Sequence, residues 1–462
     1  IQKTIPRETY MNVRHMIDEY RWTPLQYLVI CLCFFLNMLD GMDVLAISLA
    51  APVLAKEWGI DPQTLGAVFS AALVGMMLGA ILLAPKADVW GRRKLVILCM
   101  TVIAIGMLGT PLAKTVPQLI ALRFVTGLGV GGMVASMATM SAEFSPKRTR
   151  NLAVTFVQAG YPVGAAVLGL IGAKLIPTFG WNSVFILAGL LTTLSIPIIA
   201  IFLPESPEFL LQKQPKGALE KLNQLLRKMG RPRITELPSI AESEQVNRTG
   251  IAALFSKEYR ATTMLLWIGF CMAFGTLYFL LSWIPQLTAN TGLTLEFAIY
   301  SGAVLNVGAF FGMVTLGFLA DRIGLKRVIV AWLILAALVM VLFGNFQTSV
   351  SILLALCFIG FFMEGGFIGI YAAAVQVYPT LIRNTGVGWA IGAGRTGAIL
   401  SPYLAGVMVA GGMSMVDSFR VFAVPLLVSA AAIGMMKAKQ MIISTNPAPA
   451  SSPAVKSSRA ED

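Results

Sequence analysis

Five ionisable side chains interrupt stretches of sequence that are otherwise almost wholly apolar: Asp40, Asp43, Arg123, Glu364 and Arg395. Such a group at mid-bilayer costs at least ~2.5–3.5 kcal/mol on insertion scales, so each one needs a chemical reason. Asp40 and Asp43 are three residues apart and share nearly one helix face. Two carboxylates that close in a low dielectric repel each other, and a carboxyl that takes up and releases a proton there is a candidate proton carrier. The simpler alternative is a standing ion pair between Asp43 and Arg123. Arg395 sits in Gly392-Ala-Gly-Arg395-Thr-Gly397, where the glycines permit close helix packing. Arginine does not shed its proton, so it needs an anion. That anion is either a fixed one, Glu364 or an aspartate of the first run, or a visiting carboxylate held by a two-pronged hydrogen bond. Glu364, beside Gly365 and Gly366, fits a proton carrier or a helix contact. Phe34, Tyr161, Phe274, Tyr278 and Trp389 are candidates to stack on a ring. No nucleophile–base pair and no metal-ligand cluster is apparent, and the only histidine, His15, precedes the first apolar run. No catalytic residue, metal or cofactor is therefore expected, only protons as coupling ion.

These side chains need long apolar elements to hold them. Charged residues make up only 12% of the 462 residues, against roughly 25% in soluble domains, which puts the chain in the membrane class. Twelve runs near the ~20 residues that a bilayer requires lie at about 25–52, 64–85, 95–114, 118–140, 152–175, 181–203, 261–285, 297–320, 327–347, 350–374, 385–410 and 418–437. The fold class is thus an all-α membrane protein of twelve transmembrane helices. Basic residues crowd alternate loops, which puts both termini and the central loop in the cytoplasm. The net charge of +13 follows this alternation and not a solvated groove, so a nucleic-acid partner is not expected. The partners expected are the lipid bilayer and, from the need of Arg395 for an anion, a small organic anion.

The organisation expected is a cytoplasmic N-terminal segment (1–24), a six-helix half (25–203), a cytoplasmic linker (204–260), a second six-helix half (261–437) and a disordered cytoplasmic tail (438–462). In the linker, Leu219, Leu222, Leu225, Leu226 and Met229 fall at helical spacing beside Lys221, Arg227 and Lys228, an amphipathic helix expected at the membrane surface. The five cysteines all lie in apolar runs and read as buried packing residues. The sequon at Asn247 carries no meaning on a cytoplasmic loop.

The two halves are copies. Asp88-x-x-Gly91-Arg92-Arg93-Lys94 recurs as Asp321-Arg322-x-Gly324-x-Lys326-Arg327 at an offset of 321 − 88 = 233, and the same offset carries Pro146 to Pro379, Arg150 to Arg383 and Asn151 to Asn384. Duplicated hydrophobic halves mark secondary transporters, whose sites lie between the repeats. The repeated charges form a candidate cytoplasmic gate: Asp88, Arg92, Arg93, Glu143, Arg150, Asp321, Arg322 and Arg383. Carboxylates here can cap helix N-termini, and their ion pairs can hold that side shut. Glu143 has Gln376 as its counterpart, so the gate is expected to be stronger on the first half.

These motifs resemble the major facilitator superfamily over residues 20–440. The loop signature is complete in the second half as Gly317, Asp321, Arg322, Gly324, Lys326 and Arg327, whereas Ala84 and Val89 depart from it in the first. Arg123-x-x-x-Gly127-x-Gly129 resembles the superfamily's helix 4 motif, and Pro204-Glu205-Ser206-Pro207 is shared with sugar and organic-ion porters. Asp40-Gly41-Met42-Asp43, with Gly386-Val-Gly-Trp389-Ala-Ile-Gly-x-Gly394-Arg395, resembles the aromatic acid:proton symporters. The resemblance implies proton-coupled import of a benzoate-like or hydroxybenzoate-like anion, with Asp40, Asp43, Arg123, Glu143 and Arg395 important for transport and Asp88, Asp321 and Arg383 for gating. Members that carry muconate make "carboxylate" firmer than "aromatic". The expected protein is a monomeric symporter of the bacterial inner membrane, with substrate contacts at Arg395, Arg123, Tyr161, Tyr278 and Trp389 and proton coupling at Asp40, Asp43 and Glu364. A sugar or polyol porter is the runner-up, although Phe270 to Pro285 lacks the Gln-Gln pair such porters use. A transporter-like receptor without net flux is the reading from another class.

Overall fold

Polar residues at the turns set where the helices begin. Thr23 and Gln26 form a reciprocal capping box across the first turn, which Pro24 opens, and Asp61, Thr294, Thr348 and Ser414 each accept a backbone N–H at a later helix start. These caps satisfy amide donors that a first turn leaves open. Thr64 donates both its hydroxyl and its N–H to the Asp61 carboxylate, which holds that carboxyl below the usual carboxylate range.

The computed structural model describes residues 13, 16–18, 22–237, 254–290, 293–378 and 380–436. Among them run α1 (Pro24–Trp58), α2 (Pro62–Leu82), α3 (Arg92–Gly109), α4 (Val116–Phe144), α5 in two pieces (Arg150–Gln158 and Gly160–Phe179), α6 (Asn182–Phe202), α7 (Arg260–Ala289), α8 (Leu295–Ile323), α9 (Leu325–Val341), α10 (Ser349–Val377), α11 (Thr380–Ala410) and α12 (Met415–Met435). No strand occurs among the described residues. Eleven of the helical segments are long and apolar enough to cross a membrane. The twelfth, α11, has the length, but Arg383, Arg395 and six glycines dilute its hydropathy. It packs against α2 and α7 like any other span.

Within each half the helices approach through glycine. A Cβ on Gly41 would stand 1.9 Å from the Tyr161 carbonyl oxygen, and one on Gly164 would stand 1.8 Å from that of Met38. Bare backbone at these points presses α1 against α5 and aims Asp40 and Tyr161 at a common space. Gly41→Ala should lower the melting temperature of the detergent-solubilised protein, since overpacking costs about 1–3 kcal/mol. An unchanged temperature would mean that α1 and α5 are not held this close.

The halves meet on the face opposite the basic loops. There Ser70 donates to the Ile399 carbonyl at 2.7 Å, Ser48 to that of Ser282 at 2.9 Å, and Gln63 to the Tyr403 hydroxyl at 2.9 Å. Gly66 fits against Pro402, Gly406 against Pro62, and Gly169 against Ala303. This seam closes that face above the centre of the molecule.

Three expectations need correction or limits. The linker helix forms as Ala218–Lys228, but Leu222, Leu225 and Leu226 are buried in the protein. Its apolar face is spent on protein packing, not on a membrane surface. Of the five cysteines only Cys33 and Cys99 are buried; Cys31 is exposed, and Cys271 and Cys357 are half-buried. Long spans carry an outward face, so an apolar run alone does not place a thiol inside. His15, the Asn247 sequon and the tail 438–462 lie outside the described residues.

Candidate functional site

A cavity lies between the halves. From the first half, α1 supplies Asn37 and Asp40, α2 Met76, and α5 Gln158 and Tyr161; from the second, α7 supplies Phe274 and Tyr278, α10 Glu364, Phe367 and Tyr371, and α11 Arg395. The break in α5 falls beside this cavity. Pro162 has no N–H to bond the carbonyl of Gln158 and its ring crowds that turn, so the helix is interrupted at Ala159. Asn37 Nδ2 donates to the Val157 carbonyl at 2.7 Å there.

Arg395 is positioned by its neighbours. A Cβ on Gly397 would stand 1.9 Å from the Cys271 carbonyl oxygen, and one on Gly394 would stand 2.5 Å from the Phe274 ring, so α11 lies tight on α7. The guanidinium carbon rests 5.6 Å from the centre of the Phe274 ring, a cation–π contact. Tyr278, Tyr371, Tyr161 and Asp40 are within electrostatic reach of it. Among the described residues no carboxylate lies within 4.0 Å of Arg395, and the Met76 sulfur lies 4.0 Å from its Nη1. Neither fixed ion pair considered for it is present. The aromatic wall is continuous: Phe274 stacks on Tyr278 at 6.1 Å and meets Phe367 edge-on at 4.7 Å, and Phe367 meets Tyr371 at 5.3 Å. This arrangement can hold a flat ring between aromatic faces with its anionic end on a guanidinium.

Asp40 and Asp43 part company. Asp40 opens to the central cavity, with Oδ1 buried and without a partner. Asp43 faces a second, smaller cavity that Arg123, Thr126 and Ser282 also line. Both its oxygens are buried without a hydrogen bond. Met76 and Tyr278 line both spaces and form the partition.

Arg123, a candidate for substrate contact, is placed away from the central cavity. It is 1% exposed, donates to Thr110 Oγ1 at 2.5 Å, and lies 4.9 Å over the Phe185 ring. Its charge faces Asp43 without a close ion pair. Trp389 is likewise not among the cavity-lining residues: it is 49% exposed and stacks on Trp267 at 6.2 Å. Phe34 stacks on Phe156, off the lining. Tyr161, Tyr278 and Glu364 do line the cavity. Helical spacing assigns residues to a run but not to the inner or outer face of a helix that is apolar all round.

The basic face carries the other charges. Arg92 pairs with Glu143 at 2.8 Å and donates to Ser206 Oγ at 2.8 Å; Ser206 donates to Glu143. Arg93 donates its N–H to Glu205 at 3.2 Å and its guanidinium to the Ala200 carbonyl. Arg150 pairs with Asp18 at 3.0 Å. The carboxylate at the N-terminus of α3 is thus Glu205 and not Asp88, which is largely exposed and only 3.7 Å from Arg92. In the sequence Glu205 and Ser206 stand out only as part of the Pro-Glu-Ser-Pro segment, and their place beside Arg92 and Arg93 comes from the folded chain. Arg322 is exposed; the side chains of Asp321 and Arg383 lie outside the described residues. No described ion pair of this set joins the two halves.

The Major Facilitator Superfamily model matches residues 33–316 and 302–456. The chain is 33% identical to the 4-hydroxybenzoate transporter PcaK of Pseudomonas aeruginosa, over 93% of this chain and 96% of that one. It is 31% identical to the gallate transporter of Pseudomonas putida, over 93% and 95%. Among solved structures, a partially occluded, inward-open conformation of the xylose transporter XylE from E. coli matches with a TM-score of 0.70 at 17% identity, over 90% of this chain and 99% of that one. A likeness that distant shows only the fold. With its membrane-spanning helices, doubled halves and full-length matches, this chain belongs to the major facilitator superfamily, in the branch that holds these hydroxybenzoate and gallate transporters.

Proposed function

We propose that this protein imports a small aromatic carboxylate of the benzoate or hydroxybenzoate class together with a proton, across a bacterial inner membrane, as a monomer with both termini in the cytoplasm. The observation that carries this is Arg395: a cation without a carboxylate partner, set in an aromatic wall between two halves that can rock. A substrate carboxylate completes the site by taking two guanidinium donors, and its ring lies against Phe274, Tyr278 and Phe367. The relatives' names, which cover hydroxybenzoate, gallate and benzoate, support the same class.

The transport cycle follows from charge. A monoanion entering alone would add negative charge to a site that already holds Asp40. A proton on a helix-one carboxyl offsets it, which makes a one-to-one cycle electrically neutral. With the seam opposite the basic loops closed, the loaded site faces the basic side; opening that seam and closing the other returns it. Arg92, Glu143, Ser206, Glu205 and Arg93 brace the basic end of the first half during this motion. A sugar is a poorer fit to the lining, because a neutral polyol brings no negative charge to the guanidinium of Arg395. The test is uptake by proteoliposomes under an imposed pH difference, with labelled 4-hydroxybenzoate competed by benzoate, muconate and xylose. Uptake driven by outside acidity and blocked by the aromatic acids is expected; block by xylose but not by benzoate would overturn the assignment.

A further inference from the structure

The first half adds a polar group to the cavity that carboxylate binding does not use. Asn37 is 4% exposed, and its Nδ2 donates both to the Val157 carbonyl at 2.7 Å and to Gln158 Oε1 at 3.1 Å. A backbone carbonyl only accepts, so the Asn37 atom facing it is the amide nitrogen. That nitrogen only donates, so the Gln158 atom it meets is the oxygen. The network therefore fixes the orientation of an amide that is otherwise hard to assign. The NH2 of Gln158 is the end left over. It has no partner among the described residues, and its side chain lines the cavity. The carboxyl groups of Asp40 and Glu364 line the same space.

We propose that Gln158, held by Asn37, reads a hydroxyl group on the substrate ring and so selects hydroxylated aromatic acids over unsubstituted ones. This rests on the aromatic carboxylate assignment and adds the second point of recognition to it. A phenolic hydroxyl accepts and donates on one atom: its oxygen takes the Gln158 N–H and its proton goes to a wall carboxylate. A bare ring leaves the amide unpaired against carbon, and that desolvated donor is what penalises it. A methoxy group accepts but gives nothing to the carboxyls. A second carboxylate accepts from the amide but meets Asp40 and Glu364 with like charge. Because Gln158 belongs to the first half and Arg395 to the second, a hydroxy acid touches both halves at once, whereas benzoate anchors to one.

The test is competition against labelled 4-hydroxybenzoate in proteoliposomes holding the full chain, with unlabelled 3- and 4-hydroxybenzoate, 4-methoxybenzoate, benzoate and muconate. The unaltered protein should favour at least one hydroxybenzoate over benzoate by about tenfold, the worth of one hydrogen bond with its desolvation. In Gln158→Leu that ratio should fall towards one, through weaker hydroxybenzoate binding. Equal affinity for benzoate and both hydroxybenzoates in the unaltered protein overturns the proposal without any variant, and so does an unchanged ratio in Gln158→Leu. Both results leave the aromatic carboxylate assignment standing. Absence of carrier-mediated uptake of labelled 4-hydroxybenzoate and benzoate, with labelled muconate taken up, would overturn both.

Discussion

Arg395→Ala is expected to abolish carboxylate uptake, with affinity falling about 30-fold or more, since truncating one member of a buried charge pair costs about 2–5 kcal/mol. Arg395→Lys should keep part of the binding but not all, because a point charge replaces a planar two-pronged donor. The stability of the ligand-free protein supplies the control. Arg395 has no carboxylate within 4.0 Å among the described residues, so removing it breaks no ion pair. Its alanine variant should melt no lower than the unaltered protein, and the stabilisation that ligand normally adds should vanish. A large drop in the melting temperature of the ligand-free protein would reveal a structural cation, and unchanged affinity would remove it from the binding site.

The second large effect concerns energy coupling. For a one-to-one, electrically neutral cycle, each unit of pH difference supports about tenfold accumulation of the anion. The sign is fixed: uptake rises as the outside is acidified, because outside protons load the carrier. Asp43→Asn should lower accumulation to equilibrium with the bath while leaving exchange of internal for external substrate measurable. The reason lies in the partition. Asp43 sits with Arg123 in the smaller cavity, away from the aromatic wall, so its loss removes a proton site and not a substrate contact. Asp40→Asn, by contrast, alters a group in the substrate space and should change affinity as well. Full pH-driven accumulation by Asp43→Asn would end the coupling role proposed for it.

Much of this architecture was legible in the chain. The 233-residue offset, the alternating basic loops and the lone charges in apolar runs pointed to doubled six-helix halves with a central site near Arg395, while Glu364 stayed open between a proton carrier and a helix contact. What escaped had physical causes. Arg123 and Trp389 belong to helices hydrophobic on all sides, where spacing gives no inner face, and each turned out to sit away from the central cavity. Asn37 lies three residues before Asp40, so its position on the same face could have been read. Gln158 could not, because its place depends on the interruption of α5 ahead of Pro162. Glu205 reaches the start of α3 only after the linker folds back. The linker helix showed its apolar stripe plainly, but periodicity cannot tell a protein partner from a lipid one.

The seam between the halves has a consequence for what governs the conformational switch. Its named contacts are neutral hydroxyl and amide bonds and close glycine fits, whereas no described ion pair joins the halves. Opening it should therefore respond weakly to ionic strength and strongly to side-chain bulk: a wedge at Gly66, whose Cβ would stand 2.6 Å from the Pro402 carbonyl oxygen, should hold that side ajar and bias the resting population toward the exterior.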